Sequence, residues 1–298
     1  MATRTDYFKL HFIVFLWGFS AILGKLVSIP PVEMIFYRSL LAAMGLGLVI
    51  IATRTTFRVT SKDLISLILI GCIVAVHWVA FFASARVANV SVSLVGFATN
   101  SLWAAILEPW FNRSRIKKFE LILGLIVMLG LYVIFSFDFA YKFGLLLGVF
   151  AGFTAALFSV LNSKLVRTIP AYTISFYEMV GAFIGLALFM MVNSLAYGAN
   201  LDLLPTAMDW VYIALLAGAC SVYAYSTAVE LMKRLSVFLI QLSLNLEPIY
   251  GIIMAVIIFG NDEKMSLKFY VGASIILAAV LLYPVLKRRH ERQVSFKS

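Results

Sequence analysis

Long apolar runs alternate with short polar breaks along nearly the whole chain. Each run is close to the roughly 20 residues that a helix needs to cross the hydrocarbon layer of a bilayer. The pattern therefore predicts an all-α integral membrane protein. Its ten transmembrane helices are expected at residues 10–28, 33–52, 64–84, 91–111, 119–136, 143–163, 173–193, 209–229, 235–259 and 267–286.

The composition supports a membrane environment. Hydrophobic residues make up 63% of the chain and charged residues 13%, whereas soluble domains are about 45–50% apolar. So few polar side chains cannot cover a water-facing surface, and the apolar excess must face lipid or other helices. The two cysteines, Cys72 and Cys220, lie inside apolar runs, which favours buried thiols over a disulfide framework.

The formal net charge of +10 would suit nucleic acid only if the basic residues shared one folded face. They lie instead in the short breaks between apolar runs. With a cytoplasmic N-terminus, 18 of the 24 Lys and Arg residues fall on the cytoplasmic side, five on the other side, and Arg38 within a span. Because loops rich in Lys and Arg stay cytoplasmic, both termini are predicted inside, with the lipid bilayer and not nucleic acid as the partner.

The two halves of the chain resemble each other. Ile29–Arg38 and Ile169–Glu178, 140 positions apart, share Ile, Pro, Phe and Tyr at matching places. Further matches follow in the same order: Gly18-Phe-Ser-Ala with Gly152-Phe-Thr-Ala, Ser91-Val92 with Ser236-Val237, Asn100 with Asn245, and Gly124 with Gly272. These matches predict two repeats, residues 1–138 and residues 139–298, the second ending in a basic cytoplasmic tail.

Five spans per repeat is an odd number, so the second repeat must start on the opposite side of the membrane and the repeats are inverted. Inverted repeats are typical of transporters that alternate between two states around a site near the bilayer midplane. A structural protein or a lipid-modifying enzyme has no comparable reason for this symmetry, although duplication alone excludes neither. The sequence shows no metal-ligand cluster, phosphate-binding glycine loop or nucleophile–base set, so no enzyme activity, metal or cofactor is expected.

Four motifs, spread over the ten predicted spans, resemble the EamA-type family of the drug/metabolite transporter superfamily. They are Trp17-Gly18-Phe19, Phe36-Tyr37-Arg38, Asn245-Leu-Glu-Pro248 and Gly272-Ala-Ser. The resemblance covers the whole chain and implies a bacterial inner-membrane exporter or facilitator of amino acids and related metabolites, with a cavity lined by the third, fourth, eighth and ninth helices. The first repeat departs from the pattern, because Trp103 stands where the second repeat has Pro248. It is therefore open whether the fourth helix bends as the ninth does.

Glu247 is the main candidate for substrate binding. It lies near the middle of the ninth span, where a carboxylate normally faces a partner or a wet cavity because burying it in lipid is unfavourable. Gln241 and Asn245 lie four residues apart and share a helix face. These side chains either contact the substrate's polar group, with Glu247 exchanging a proton as a further option, or form a hydrogen-bonded clamp between helices.

Other candidates for the cavity are polar or aromatic side chains at similar depth. They are Trp17, His77, Trp78, Asn100 and Tyr223, the last with its neighbour Tyr225. An aromatic lining with a few polar groups suits an amphipathic zwitterion such as an amino acid. The alternatives are ordinary packing for the aromatic residues, a hydrogen-bonded core histidine for His77, and bonding between helices for Asn100.

Arg38 and Glu178 are equivalent positions of the two repeats and are predicted near opposite membrane faces, so they should not pair. We expect Arg38 to form an outer gate near Glu33, and Glu178 an inner gate near Lys164 or Arg167. The alternative is that both side chains extend to the membrane interface.

The sequence thus predicts an exporter of amino acids or related small metabolites that works by alternating access. Two alternatives remain open: a facilitator or importer of another metabolite class, and a non-transporting membrane enzyme or assembly factor. Glycines on the outer helices would allow two copies to pack as a homodimer.

Overall fold

The computed structural model describes residues 2–135, 141–260 and 266–295, and the predicted repeat boundary between residues 138 and 139 lies outside these ranges. All extended regular elements in the described ranges are helices. In chain order they are α1 (Arg4–Gly18), α2 (Ser20–Leu26), α3 (Pro31–Ala52), α4 (Ser61–Val87), α5 (Val90–Phe97), α6 (Asn100–Phe111), α7 (Lys118–Phe135), α8 (Lys142–Leu165), α9 (Ala171–Tyr197), α10 (Ala207–Leu215), the π-helix Leu216–Tyr225, α11 (Ser226–Leu231), α12 (Val237–Leu244), α13 (Glu247–Phe259) and α14 (Leu267–Ser295).

Eight helical stretches of the described chain are long and apolar enough to cross a membrane. They are Arg4–Leu26, Pro31–Ala52, Ser61–Val87, Val90–Phe111, Lys142–Leu165, Ala171–Tyr197, Ala207–Leu231 and Tyr270–His290. The predicted fifth and ninth spans coincide with α7 and with α12 and α13, which are not among these eight. The all-helical class is confirmed, and the total of ten stays a prediction.

The fourth and ninth predicted spans are both broken after eight residues, at the ends of α5 and α12. Each begins at a polar side chain that accepts a hydrogen bond from a backbone amide: Asn89 from Val92 at 2.8 Å, and Ser236 from Leu239 at 3.2 Å. The first repeat bends although it has Trp103 in place of a proline. The Thr99 hydroxyl donates to the Gly96 carbonyl at 2.9 Å, and such local bonds compete with the helical ladder.

The equivalence of the two repeats extends to tertiary contacts. The Tyr37 hydroxyl donates to the carbonyl of Leu203 at 2.9 Å, and the equivalent Tyr177 donates to the carbonyl of Phe57 at the same distance. The carbonyl of Phe57 lies just before α4, and that of Leu203 lies just before α10, the equivalent helix of the second repeat. The offset of 140 residues between these tyrosines therefore relates structurally matching positions.

Glu108 links the two broken helices. Its carboxylate accepts hydrogen bonds from the backbone amides of Val237 at 3.2 Å and Phe238 at 2.8 Å, which lie in the first turn of α12. Replacing Glu108 with alanine would leave these amides unpaired, and we expect it to lower the free energy of unfolding by about 1–3 kcal/mol. Thermal unfolding in detergent measures this. Glu108→Gln keeps one acceptor oxygen and should have a smaller effect; equal unfolding temperatures for alanine and wild type would contradict the capping role.

Candidate functional site

A cavity lies inside the helix bundle, and its lining residues come from α1 to α5, α8, the π-helix and α11 to α13. The cavity volume is about 60 Å³, which is small beside the roughly 300–1,000 Å³ of typical small-molecule sites, so the cavity is narrow in this state. Five of the eight predicted binding residues line it: Trp17, His77, Trp78, Gln241 and Glu247. Much of the remaining wall is aromatic, formed by Phe81, Phe82, Phe97, Phe158 and Tyr225.

Three predicted binding residues do not line this cavity. Asn100 is fully buried at the start of α6, and neither its amide oxygen nor its amide nitrogen has a partner in the described chain. Asn245 donates to the Ser101 hydroxyl at 2.8 Å, which joins the two broken helices. Tyr223 is 42% exposed and its ring contacts Phe12.

Of the two neighbouring tyrosines considered for the cavity wall, Tyr225 lines the cavity and Tyr223 does not. Both residues belong to the π-helix. Residues two apart point in different directions on a helix, and the wider π-turn shifts the facing residues further. Only the hydrogen-bond pattern of the folded helix decides which tyrosine faces inward, so the sequence had no signal that separated the two.

Arg38 lies in the cavity wall, and the expected outer gate beside Glu33 is corrected accordingly. Its guanidinium carbon is 3.9 Å from the centre of the Trp78 ring, and its Nε donates to the Ser221 hydroxyl at 2.9 Å. The physical reason is depth: α3 begins at Pro31, so Arg38 is about two helical turns inside. With 1% of its surface exposed, Arg38 does not extend to the interface either.

Glu178 is fully buried and does not meet its expected partners. One carboxylate oxygen, Oε2, accepts from the Tyr225 hydroxyl at 2.7 Å and from the Asn162 amide at 3.3 Å. Lys164 instead donates to the carbonyl of Phe111 at 2.7 Å. The expected inner gate between Glu178 and Lys164 or Arg167 is therefore corrected, because Glu178 faces the bundle interior while Arg167 is exposed.

Glu247 lines the cavity as the first residue of α13, directly after the break at Leu246. Its exposed fraction is 3%. Among the residues that the structure describes, none donates a hydrogen bond to its carboxylate or forms an ion pair with it. The position at a helix N-terminus favours a negative charge, because the free backbone amides carry partial positive charge.

Hydrogen bonds hold three further side chains of the wall, those of His77, Gln241 and Trp17. His77 shares a hydrogen bond of 2.8 Å between Nδ1 and the carbonyl of Ala151. Gln241 donates to the Ser159 hydroxyl at 2.7 Å, and the Trp17 indole donates to the carbonyl of Cys220 at 3.0 Å. These bonds fix the shape of the cavity and leave Arg38 and Glu247 as its charged groups.

The arrangement is suited to binding a small molecule. In the described residues, no group of three His, Cys, Asp or Glu side chains could hold a metal ion. The cavity offers a cation on an aromatic face, a carboxylate and an apolar wall, which are features typical of small-molecule binding sites.

The chain as a whole is similar to a known family of membrane proteins. The EamA-like transporter family matches two segments of the chain, residues 7–136 and 142–283. The chain belongs to the EamA-like transporter family. The resemblance read from the four motifs is thereby confirmed, and the protein is a multi-pass membrane protein.

Relatives of this EamA-like protein are themselves named as transporters. An uncharacterized transporter YxxF from Bacillus subtilis (strain 168) is 20% identical over 263 residues, 86% of this chain and 82% of the relative. An uncharacterized transporter from Archaeoglobus fulgidus is 24% identical over 281 residues, 92% and 95% of the two chains. These relatives point to a membrane transporter and away from an enzyme.

A solved crystal structure shares the fold of this EamA-like chain. It has a TM-score of 0.72 at 15% sequence identity and covers 97% of this chain and 100% of the other. At this identity the likeness extends to the fold alone. The cavity of the present chain must therefore be interpreted from its own residues.

Proposed function

We propose that this EamA-like transporter exports amino acids or closely related small zwitterions across the bacterial inner membrane by alternating access. One observation carries the proposal: Arg38 and Glu247, of opposite charge and almost fully buried, line one cavity without pairing with each other. In the described chain, neither forms an ion pair with any other residue. An unpaired buried charge is unfavourable, so such groups normally have a partner at some stage of their function.

An amino acid would supply both missing partners. Its carboxylate would accept two parallel hydrogen bonds from the Arg38 guanidinium, whose central carbon lies 3.9 Å from the centre of the Trp78 ring. Its ammonium group would lie against the Glu247 carboxylate, and its side chain among Phe81, Phe97 and Phe158. Hydrogen bonds that involve charged groups contribute about 1.5–3 kcal/mol each, so the two polar ends would dominate recognition.

The proposal includes the direction of transport and the orientation of the protein in the membrane. Export is what the resemblance to EamA-type exporters implies, and cytoplasmic termini follow from the 18 Lys and Arg residues that share one side. The inverted repeats supply two states of similar stability, one open to each side.

Counterflow in proteoliposomes tests the proposed function. Vesicles are loaded with an unlabelled amino acid, and the uptake of the labelled amino acid is followed over a panel of side chains. Accelerated exchange of amino acids supports the proposal. Exchange of another solute class, or net uptake into cells that express the protein, would favour a facilitator or importer; no exchange across a broad panel would favour a non-transporting enzyme or assembly factor.

Replacing Glu247 with glutamine gives a sharper prediction about the ammonium end. The neutral amide loses the attraction for the ammonium group, so amino-acid affinity should fall about tenfold to a hundredfold. Affinity for the matching α-hydroxy acid, which lacks the ammonium group, should change little. Competition of both compounds against labelled substrate measures this, with Glu230→Gln, an exposed residue paired with Lys233, as the control. Equal loss for both compounds would argue against the ammonium contact.

A further inference from the structure

Arg38 and Glu178 occupy equivalent places in the two repeats. Each follows a tyrosine, Tyr37 or Tyr177, whose hydroxyl makes the same hydrogen bond to a loop carbonyl. Each also contacts an aromatic side chain of the next predicted span in its own repeat, Arg38 the Trp78 ring and Glu178 the Tyr225 hydroxyl. The ring centres of Trp78 and Tyr225 lie 6.2 Å apart in an edge-to-face arrangement, and both residues line the cavity.

The cavity treats these equivalent residues differently. It reaches past Trp78 to the guanidinium of Arg38, but it stops at Tyr225 and does not include Glu178. The second carboxylate oxygen of Glu178, Oε1, is buried and has no hydrogen-bond partner in the described chain. Around Glu178, α8 contributes Asn162, the π-helix Tyr225 and α4 the backbone at Gly71, and none of the described cations pairs with it. Glu178 therefore lies one side chain behind the wall, incompletely bonded.

A hydrogen-bonded contact between the two repeats is also present at one position and missing at the equivalent position of the described chain. The backbone amide and the hydroxyl of Ser28 donate to the carboxylate of Asp209, at 2.7 and 2.6 Å. The equivalent residues, Thr168 and Asp63, share no hydrogen bond in the described chain. Thr168 donates to the carbonyl of Leu165 at 3.3 Å, and Asp63 accepts from the Thr60 hydroxyl at 2.7 Å. The contact between the repeats is thus closed at Ser28 and Asp209 and open at its symmetric counterpart.

We propose that Glu178 replaces Arg38 in the cavity wall when the transporter adopts its opposite state. The proposal rests on the proposed alternating access. In inverted repeats the two halves exchange conformations between the two states, so each residue takes over the surroundings of its equivalent. In the opposite state Thr168 and Asp63 are joined, Ser28 and Asp209 are apart, Glu178 lines the cavity past Tyr225, and Arg38 is enclosed behind Trp78.

The exchange would change the charge that the substrate meets. In the state described here, the guanidinium of Arg38 attracts the substrate's carboxylate. In the opposite state a carboxylate, Glu178, faces the same cavity and repels it, since like charges in a poorly screened site disfavour each other. The site would therefore bind an anionic group in the described state and release it in the opposite state, which is open to the other side of the membrane.

Chemical modification of the native side chains tests the exchange without altering Arg38 or Glu178. In a background with Cys72→Ala and Cys220→Ala, one variant carries S28C/D209C and the other D63C/T168C. Each pair is joined by a short bifunctional methanethiosulfonate, which holds one of the two states. Phenylglyoxal then labels Arg38, a water-soluble carbodiimide with glycine ethyl ester labels Glu178, and mass spectrometry quantifies the label at each residue.

We expect opposite patterns in the two crosslinked variants. Arg38 should react faster with S28C/D209C joined, and Glu178 with D63C/T168C joined, each by at least about tenfold, because a minor state is typically populated at 10% or less. Glu120 is buried on α7 and paired with Lys117, so its labelling should be equal in both variants. Glu178→Gln should abolish the label assigned to residue 178.

Two results would overturn the exchange: equal labelling of Glu178 in both crosslinked variants, or labelling of Glu178 and Arg38 in the same variant. The labelling requires no substrate. Absence of amino-acid counterflow together with opposite labelling would therefore reject the proposed substrate and keep the exchange, whereas counterflow without opposite labelling would reject the exchange alone.

Discussion

Replacing Arg38 with glutamine is expected to reduce amino-acid exchange by about a hundredfold or more. The guanidinium is the cation of the cavity wall, and its stacking on Trp78 and its bond to Ser221 hold it in one orientation. Losing a bidentate, charge-assisted contact in a buried site corresponds to about 3 kcal/mol or more. Counterflow rates at saturating and at low substrate concentration measure the loss.

Arg38→Lys is the informative companion variant. It keeps the charge but loses the planar pair of donors, so exchange should be intermediate between wild type and glutamine. Arg167→Gln, an exposed arginine outside the cavity, should leave exchange unchanged. Primary amines that lack a carboxylate should compete equally well with wild type and Arg38→Gln; a selective loss of amine binding would show that Arg38 does not contact the carboxylate.

Replacing Gly71 with alanine is expected to destabilise the folded protein strongly. A Cβ atom at Gly71 would overlap the carbonyl oxygen of Glu178 and stand 2.9 Å from the Cα of Glu178. Because both neighbours are backbone atoms, α4 and α9 would have to move apart. Overpacking of this kind typically costs about 1–3 kcal/mol, and we expect the unfolding temperature in detergent to fall by about 5 °C or more.

The second repeat provides the matched control for this prediction. Gly218 is the equivalent glycine, 147 positions later in the π-helix, and a Cβ there would meet no atom within 4 Å. Gly218→Ala should unfold at the wild-type temperature or slightly higher, because alanine restricts the unfolded chain. Similar destabilisation by both substitutions would show that close packing at Gly71 does not hold α4 against α9.

The candidate site was predictable where residue type alone indicates a role. Glu247 is a carboxylate inside an apolar run, and such a residue faces a cavity or a partner whatever the details of the fold. His77, Trp78, Trp17 and Gln241 were found by depth and polarity, and all four line the cavity. Whether they contact substrate stays a prediction.

Residue type alone did not predict the surroundings of three residues, Arg38, Tyr223 and Asn245. Arg38 was expected at a membrane face because its helix was taken to begin at residue 33, and a start at Pro31 moves it about half a turn deeper. Tyr223 and Tyr225 differ only in the direction that a π-helix gives them. Asn245 could bind a ligand or a neighbouring helix, and only the position of Ser101 in the folded bundle showed the second contact.

The sequence by itself determined the helical class, the membrane as solvent, the duplication and the family, because these follow from the apolar pattern and from short motifs that are each read from consecutive residues. Tertiary structure decided which polar groups meet. Cavity walls, ion pairs and gates depend on helix rotations of a fraction of a turn and on contacts between residues of different helices, 40 or more positions apart along the chain. Arg38 against Trp78 and Glu178 behind Tyr225 are such contacts, and no local pattern specifies them.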